Sequence, residues 1–282
     1  MTDLPDIQIT EPQIKIPINQ VGVNNIEVPF TLESKYGGFK QMVAKVSMTT
    51  NLNNNTKGIS MSRLLLTLKP YLDLPLKHKL IKKIMEDLNK NIGSINSFIR
   101  FDFKLPIKRK SPKSNNQFPI YHNCKFEMHY NSVLKKFRFF QGVKFQYASY
   151  CPCSAELSKD LFKNGSIGFP HAQRSFVYVN IEVEKDKYIW LEDIIETLEK
   201  SIKTLPFPII KRVDEQLIAE IAAKNPIFVE DAIRSISKNI NSMFFIKDWH
   251  IHCVHQESIH TSNAIATNWK GVKGGFDEKY KI

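Results

Sequence analysis

Two thiols one residue apart, Cys151 and Cys153, flank Pro152 in the stretch SYCPCSAEL. A thiolate is a metal ligand or a nucleophile, and a proline between two cysteines fixes a turn that exposes one sulfur. The same three residues also suit a strand that simply ends at a proline turn, and the spacing alone leaves both readings open. Other chemistry-bearing residues recur further along. PHAQRS places His171, Gln173, Arg174 and Ser175 just before an apolar strand, where polar residues need a reason. KRVDEQ puts Asp214 and Glu215 at a helix start, where capping is a sufficient explanation. NPIFVED brings Glu230 onto the next helix, and ESIH sets Glu257 and His260 at a strand end. A thiolate, an imidazole and several carboxylates at successive element ends suit a divalent metal and acid–base chemistry. His250, His252 and His255 imitate a metal site but are read as half-exposed strand positions, because no carboxylate or cysteine follows at a fixing distance.

Several chemistries are excluded by absence of their motifs. The chain has no GxxxxGK[ST] phosphate loop, GxGxxG, GxSxG or HExxH, and a single CxC cannot build a zinc ribbon. No apolar run approaches a transmembrane span, and MTDLPDIQIT lacks the basic and apolar regions of a signal peptide. Four cysteines, two of them one residue apart, do not form a secreted disulfide framework. The expectation is a reduced, soluble, cytoplasmic protein without a membrane partner. Forty Lys and Arg against 28 Asp and Glu give a formal charge of +12, a field that attracts phosphorylated small molecules or nucleic acid. The basic residues lie on solvated helix faces and in KLPIKRKSPKS, read as an exposed loop, so no nucleic-acid partner is expected.

The elements that must position these residues follow from periodicity. Residues 1–24 are polar and read as an extended arm. Met42, Ala44, Val46 and Met48 share one parity, as a half-buried strand requires. Leu76, Leu80, Ile81, Ile84, Met85, Leu88 and Ile92 form a helical stripe with lysines opposite. FIRFDFKL and CKFEMHY alternate as hairpin partners. The second half repeats the order: aromatic strands over 136–150, the strand FVYVNIEVE, a helix carrying Leu191, Ile194, Ile195, Leu198 and Ile202, two further helices, and the strand FFIKDWHIHCVH. The pattern predicts an α+β chain with an internal structural duplication, a first module over 25–135 and a second over 136–282.

KGISMSRL, CPCS, PHAQRS, KRVDEQ, NPIFVED and ESIH, in this order, resemble GTP cyclohydrolase of type IB. The resemblance runs from about residue 5 to about residue 270. It implies a tunnelling fold (T-fold), with two tandem modules, each an antiparallel four-stranded sheet with two helices on one face. It also implies a homotetramer with sites at subunit interfaces. The implied reaction opens the imidazole ring of GTP at C8, releases formate and gives 7,8-dihydroneopterin triphosphate. By the resemblance, Cys151, His171 and Glu215 are the metal set, for zinc, manganese or iron. Cys153, Glu257 and His260 are the catalytic candidates, and Glu230 anchors guanine. Lys57, Arg63, Arg174 and Ser175 are the remaining substrate-binding candidates, the three cations for the triphosphate. The chain departs from the family pattern twice, carrying Ser60 and Ser262 where the family has histidine. Serine has neither the metal affinity nor the near-neutral pKa of imidazole. The departures imply an alternative, a relative with an altered purine substrate or a purine-binding protein without turnover. A second alternative, a tunnelling-fold nitrile reductase, requires a nicotinamide site whose motif is not evident.

Overall fold

A computed structural model describes residues 6–162 and 168–280. Its strands are β1 (Ile18–Glu33), β2 (Phe39–Leu52), β3 (Asn96–Lys110), β4 (Gln117–Asn131), β5 (Lys136–Tyr150), β6 (Ala172–Val183), β7 (Ile246–Gln256) and β8 (Ala264–Trp269). The helices are α1 (Met61–Leu68), α2 (His78–Ile92), α3 (Pro152–Phe162), α4 (Leu191–Ser201), α5 (Arg212–Lys224) and α6 (Val229–Asn241). The strands follow sequence order in the sheet, β1 to β8. The pairs β1–β2, β2–β3 and β7–β8 are antiparallel, with Val46 opposite Phe101 and Cys253 opposite Ala266. Two strands, helices and two strands, twice over, is the duplicated α+β order of the tunnelling fold. The second half departs from two helices per module: α3 stands between its first strands, and α4, α5 and α6 precede its last two.

The chain divides into two compact units. The first comprises Met1–Lys104, Lys125–Gln141 and Val183–Tyr188. Its core is built by alternation on strands and by a stripe on α2. Ala44, Val46 and Met48 of β2 and Ile99, Phe101 and Phe103 of β3 are buried with Ile81, Ile84, Met85 and Leu88. Each such side chain stabilises by roughly 1.5–3 kcal/mol. Phe103 meets Phe30 and Phe126 edge-on at 5.1 and 5.2 Å. Gly93 ends α2 at φ +74°, a left-handed position that costs glycine little, and its N–H donates to Asn89 O at 2.7 Å. The extended arm expected over 1–24 is shorter than that: a 3-10 turn occupies Ile7–Ile9, and β1 begins at Ile18.

The second unit comprises Leu105–Cys124, Gly142–Glu182 and Ile189–Ile282. Val177, Val179 and Ile181 of β6 are buried with Ile194, Ile195 and Leu198 of α4 and Ile236 and Ile240 of α6. KLPIKRKSPKS is not an exposed loop. β3 runs through Lys110, and Arg109 is buried because its guanidinium pairs with Glu199, donates to Pro206 O at 3.0 Å and lies over the Phe145 ring. Asp214 locks α5 to the turn that follows. Its carboxylate accepts from Lys113 N–H, Ser114 N–H, Ser114 Oγ and Lys211 N–H at 2.5–2.9 Å. On β7, His252 is half-buried as expected, but His250 and His255 are each 2 % exposed. His250 is enclosed by Trp269, Phe276 and Tyr280.

Candidate functional site

The site lies in the second unit, where β5 and β7 end and β6 begins. β5 stops at Tyr150, and Pro152 opens α3 as its first residue, a position where the missing N–H costs nothing. The CPC stretch is therefore a strand-to-helix junction. Cys151 is half-buried and Cys153 is exposed on the first turn. Two hydrogen bonds tie this junction to the start of β6, and a third braces the junction itself. Cys151 N–H donates to His171 O at 3.1 Å, Ser154 Oγ–H donates to Cys151 O at 3.2 Å, and His171 N–H donates to Ser154 Oγ at 3.1 Å. Ser154 thus holds the thiol-bearing and imidazole-bearing backbones together.

The His171 ring is fixed from the side of Nδ1. Gln173 Oε1 lies 3.1 Å from it and Ser258 Oγ 3.2 Å. Gln173 is buried, and its Nε2 donates to Glu257 Oε1 at 3.2 Å. Hydrogen bonds therefore join the Cys151 and His171 backbones through Ser154, and the His171 ring through Gln173 to Glu257, just past the end of β7. Ile227 N–H donates to Tyr150 O at 2.9 Å, pinning the loop before α6 to the residue beside Cys151. Glu230 is exposed on the first turn of α6, where the helix dipole favours a carboxylate. Behind it, Tyr147 Oη lies 2.9 Å from His255 Nε2. Burial pushes His255 down to about 4, while the charge of Glu230 pulls the other way. Burial pushes the Cys253 thiol up to about 12, which makes it an inert core residue.

The structure brings Cys151, His171 and Glu257 into one hydrogen-bonded constellation and places Glu230 on an element pinned to it. Cys153 is exposed beside Cys151, and His260 is exposed in the bend after β7. Glu215 stands exposed next to Asp214 on α5, and Asp214 is the capping residue of the pair. Among the described residues no three His, Cys, Asp or Glu side chains gather as a metal cluster, so Cys151, His171 and Glu215 do not converge within one chain. Arg174 alternates to the exposed face of β6. Ser175 is fully buried, its Oγ 2.7 Å from Ser149 Oγ, which places that hydroxyl inside the sheet.

Lys57 and Arg63 belong to the first unit. Lys57 N–H donates to Thr10 O at 2.9 Å and Gly58 N–H to Gln8 O at 3.0 Å, so the N-terminal segment shapes this loop. Ser60 and Arg63 line a cavity of about 230 Å³ with Asp6, Gln8 and Gly58. Ser60 sits at the N-cap of α1 without making a side-chain cap, and Ser262 is exposed in the β7–β8 bend. Ser154 and Ser258 were not among the sequence candidates, Gln173 was given no role, and His255 was set aside as a half-exposed strand position. PHAQRS signalled Gln173 by its place before an apolar strand, but the serines carried no signal.

Comparison with known proteins gives one family. A family model described as type I GTP cyclohydrolase FolE2 matches residues 4–266. The chain is 31 % identical over 273 residues to a GTP cyclohydrolase FolE2 of Cereibacter sphaeroides, covering 95 % of this chain and 76 % of that one. It is 32 % identical over 266 residues to the FolE2 of Geobacter metallireducens, covering 94 % and 97 %. Among solved structures, a uricase from Arthrobacter globiformis is similar at TM-score 0.57 and 5 % identity, covering 95 % of this chain and 98 % of that one. A uricase from Bacillus fastidious is similar at TM-score 0.51 and 8 % identity, covering 89 % and 92 %. At these identities the structural likeness concerns the fold alone.

Proposed function

The chain belongs to the type I GTP cyclohydrolase FolE2 family, and on that premise we infer that it hydrolyses GTP, opening the imidazole ring at C8. One water opens the ring, a second releases formate, and closure of the pyrazine ring returns one water, leaving 7,8-dihydroneopterin triphosphate. The observation that carries the reading is the chain Cys151–Ser154–His171–Gln173–Glu257, set beside a free carboxylate on Glu230. A thiol and an imidazole whose Nδ1 is already occupied form a donor set that fits a soft or borderline divalent ion. Cys151 and His171 Nε2 would hold it, with Glu215 or Glu257 as the carboxylate. A divalent ion held there supplies Lewis-acid activation of water. Glu230 offers two acceptor oxygens to the N1–H and exocyclic amine of guanine, a bidentate match. Glu257 and His260 exchange protons with the opening ring, and Arg174 helps to neutralise the triphosphate.

Two features support self-association into a tetramer that completes the site. Among the described residues one chain does not gather three ligands, and α3, which begins beside Cys151, exposes Leu157, Leu161 and Phe162. An isolated apolar helix face of this kind is what a second copy covers. No helix of the described residues is long and apolar enough to cross a membrane, and a GTP-consuming enzyme with free cysteines belongs in the cytoplasm.

Incubation with GTP after reconstitution with zinc, manganese or iron tests the reading. Formate release and a product of the dihydroneopterin triphosphate mass are expected with at least one metal, and intact GTP under all of them overturns it. Ser60 and Ser262 favour one second reading, purine binding without ring opening. Tight GTP binding with quantitative recovery of GTP would mark that outcome.

A further inference from the structure

We propose that Gln173 is a positioning residue that sets the tautomer of His171, holding its proton on Nδ1 and leaving Nε2 as the electron-pair donor. The inference deepens the cyclohydrolase reading and rests on it for the use to which Nε2 is put. Glu257 is the one partner whose role is unambiguous. A carboxylate only accepts hydrogen bonds, so the Gln173 amide group 3.2 Å from Glu257 Oε1 is its NH₂. That turns Gln173 Oε1 toward His171, at 3.1 Å from Nδ1. An amide oxygen also only accepts, so Nδ1 carries the proton. Ser258 Oγ, 3.2 Å from the same nitrogen, can donate or accept and leaves the choice to Gln173.

Gln173 is held for this task. It is 7 % exposed, on the buried parity of β6, so its amide has little freedom to turn over. Glu257 thereby acts on His171 at one remove: its carboxylate orients the amide, and the amide orients the imidazole. Outer partners of this type raise the basicity of a ligating imidazole and fix its plane.

The test reads the proton directly. Protein labelled with ¹⁵N-histidine, free of metal and GTP and at a pH where imidazole is neutral, reports the protonated nitrogen of each ring; loss of one signal set in His171→Asn assigns His171. The wild type is expected to show Nδ1–H. Gln173→Leu is expected to shift His171 toward Nε2–H and to weaken zinc binding roughly 10–100-fold. Gln173→Glu retains an acceptor toward Nδ1 and is expected to retain the tautomer. A wild-type His171 protonated on Nε2 overturns the proposal. So does a Gln173→Leu protein whose His171 tautomer and zinc affinity match the wild type. Because no GTP is present, an absence of formate release would sink the cyclohydrolase reading and leave this one standing.

Discussion

Glu230 has no structural task that competes with substrate. It is exposed on the first turn of α6, and the one core group its charge reaches is His255, whose pKa stays pushed down by burial. Replacing one carboxylate oxygen by an NH₂ group sets a donor against a guanine donor. Hydrogen bonds to charged groups contribute about 1.5–3 kcal/mol, so Glu230→Gln should lower kcat/KM for GTP roughly 10–100-fold. Its melting temperature should stay at the wild-type value. A fall in activity that tracks a fall in melting temperature would instead make Glu230 a stability residue. At this scale the sequence was legible where the residue type alone names the chemistry: a thiol, an imidazole, a lone carboxylate at a helix start. Gln173 was illegible as a positioning residue because its role lies in which way an amide faces, and that is decided by Glu257, 84 positions away.

Among the elements, α5 depends on one side chain. Asp214 is fully buried and accepts four hydrogen bonds, three of them from Lys113 and Ser114 in the turn at 111–116 and one from Lys211 at the helix start. Burial disfavours its charged form, but the Ser114 hydroxyl and the three N–H donors outweigh that and hold the carboxyl well below the usual carboxylate range. A depressed carboxylate contributes stability that is present above the unfolded pKa and is lost as pH falls through the folded one. Asp214→Ala should therefore lower the melting temperature by several degrees at neutral pH. The deficit against wild type should shrink in acid, as wild type also loses its carboxylate. An equal deficit at all pH values would count against the latch. The helix start at KRVDEQ was legible through its capping pattern, and β2, β3, α2, β6 and α4 through periodicity. α3 was not, because only Ala155 of its residues is buried and no apolar stripe faces a core. The end of β3 was also missed, since a buried Arg109 reads as a solvated charge until Glu199 is brought to it.

At the scale of the whole molecule, the exposed face of α3 predicts an association state. Leu157→Asp with Leu161→Asp places two charges on a helix face now 70 % and 73 % exposed, so the fold of one chain should tolerate them. Light scattering after gel filtration should show the oligomer reduced to smaller species; an unchanged mass would separate α3 from assembly. Two buried imidazoles contribute strongly to the pH dependence of stability, beside the smaller burial effects on His78 and His252. His122 is 4 % exposed, its ring parallel to Phe145 at 5.4 Å, and Nε2 has no hydrogen-bond partner among the described residues. Burial, and then the nearby Arg109 charge, push it down to about 4; burial does the same for His255. Both rings are neutral in the folded protein where an unfolded histidine, near 6.5, would bind a proton. The unfolded state therefore takes up more protons between those values, and stability falls as pH drops from 6.5 toward 4. Each imidazole contributes a slope of at most about 1.4 kcal/mol per pH unit, and none below its folded value. His122→Phe keeps the ring stack and removes one of these titrations. Denaturant melts across this range should give the variant a shallower decline than wild type, with the remaining slope shared by His255, His78 and His252. A variant as steep as wild type would show that His122 is not held neutral by burial in the folded chain.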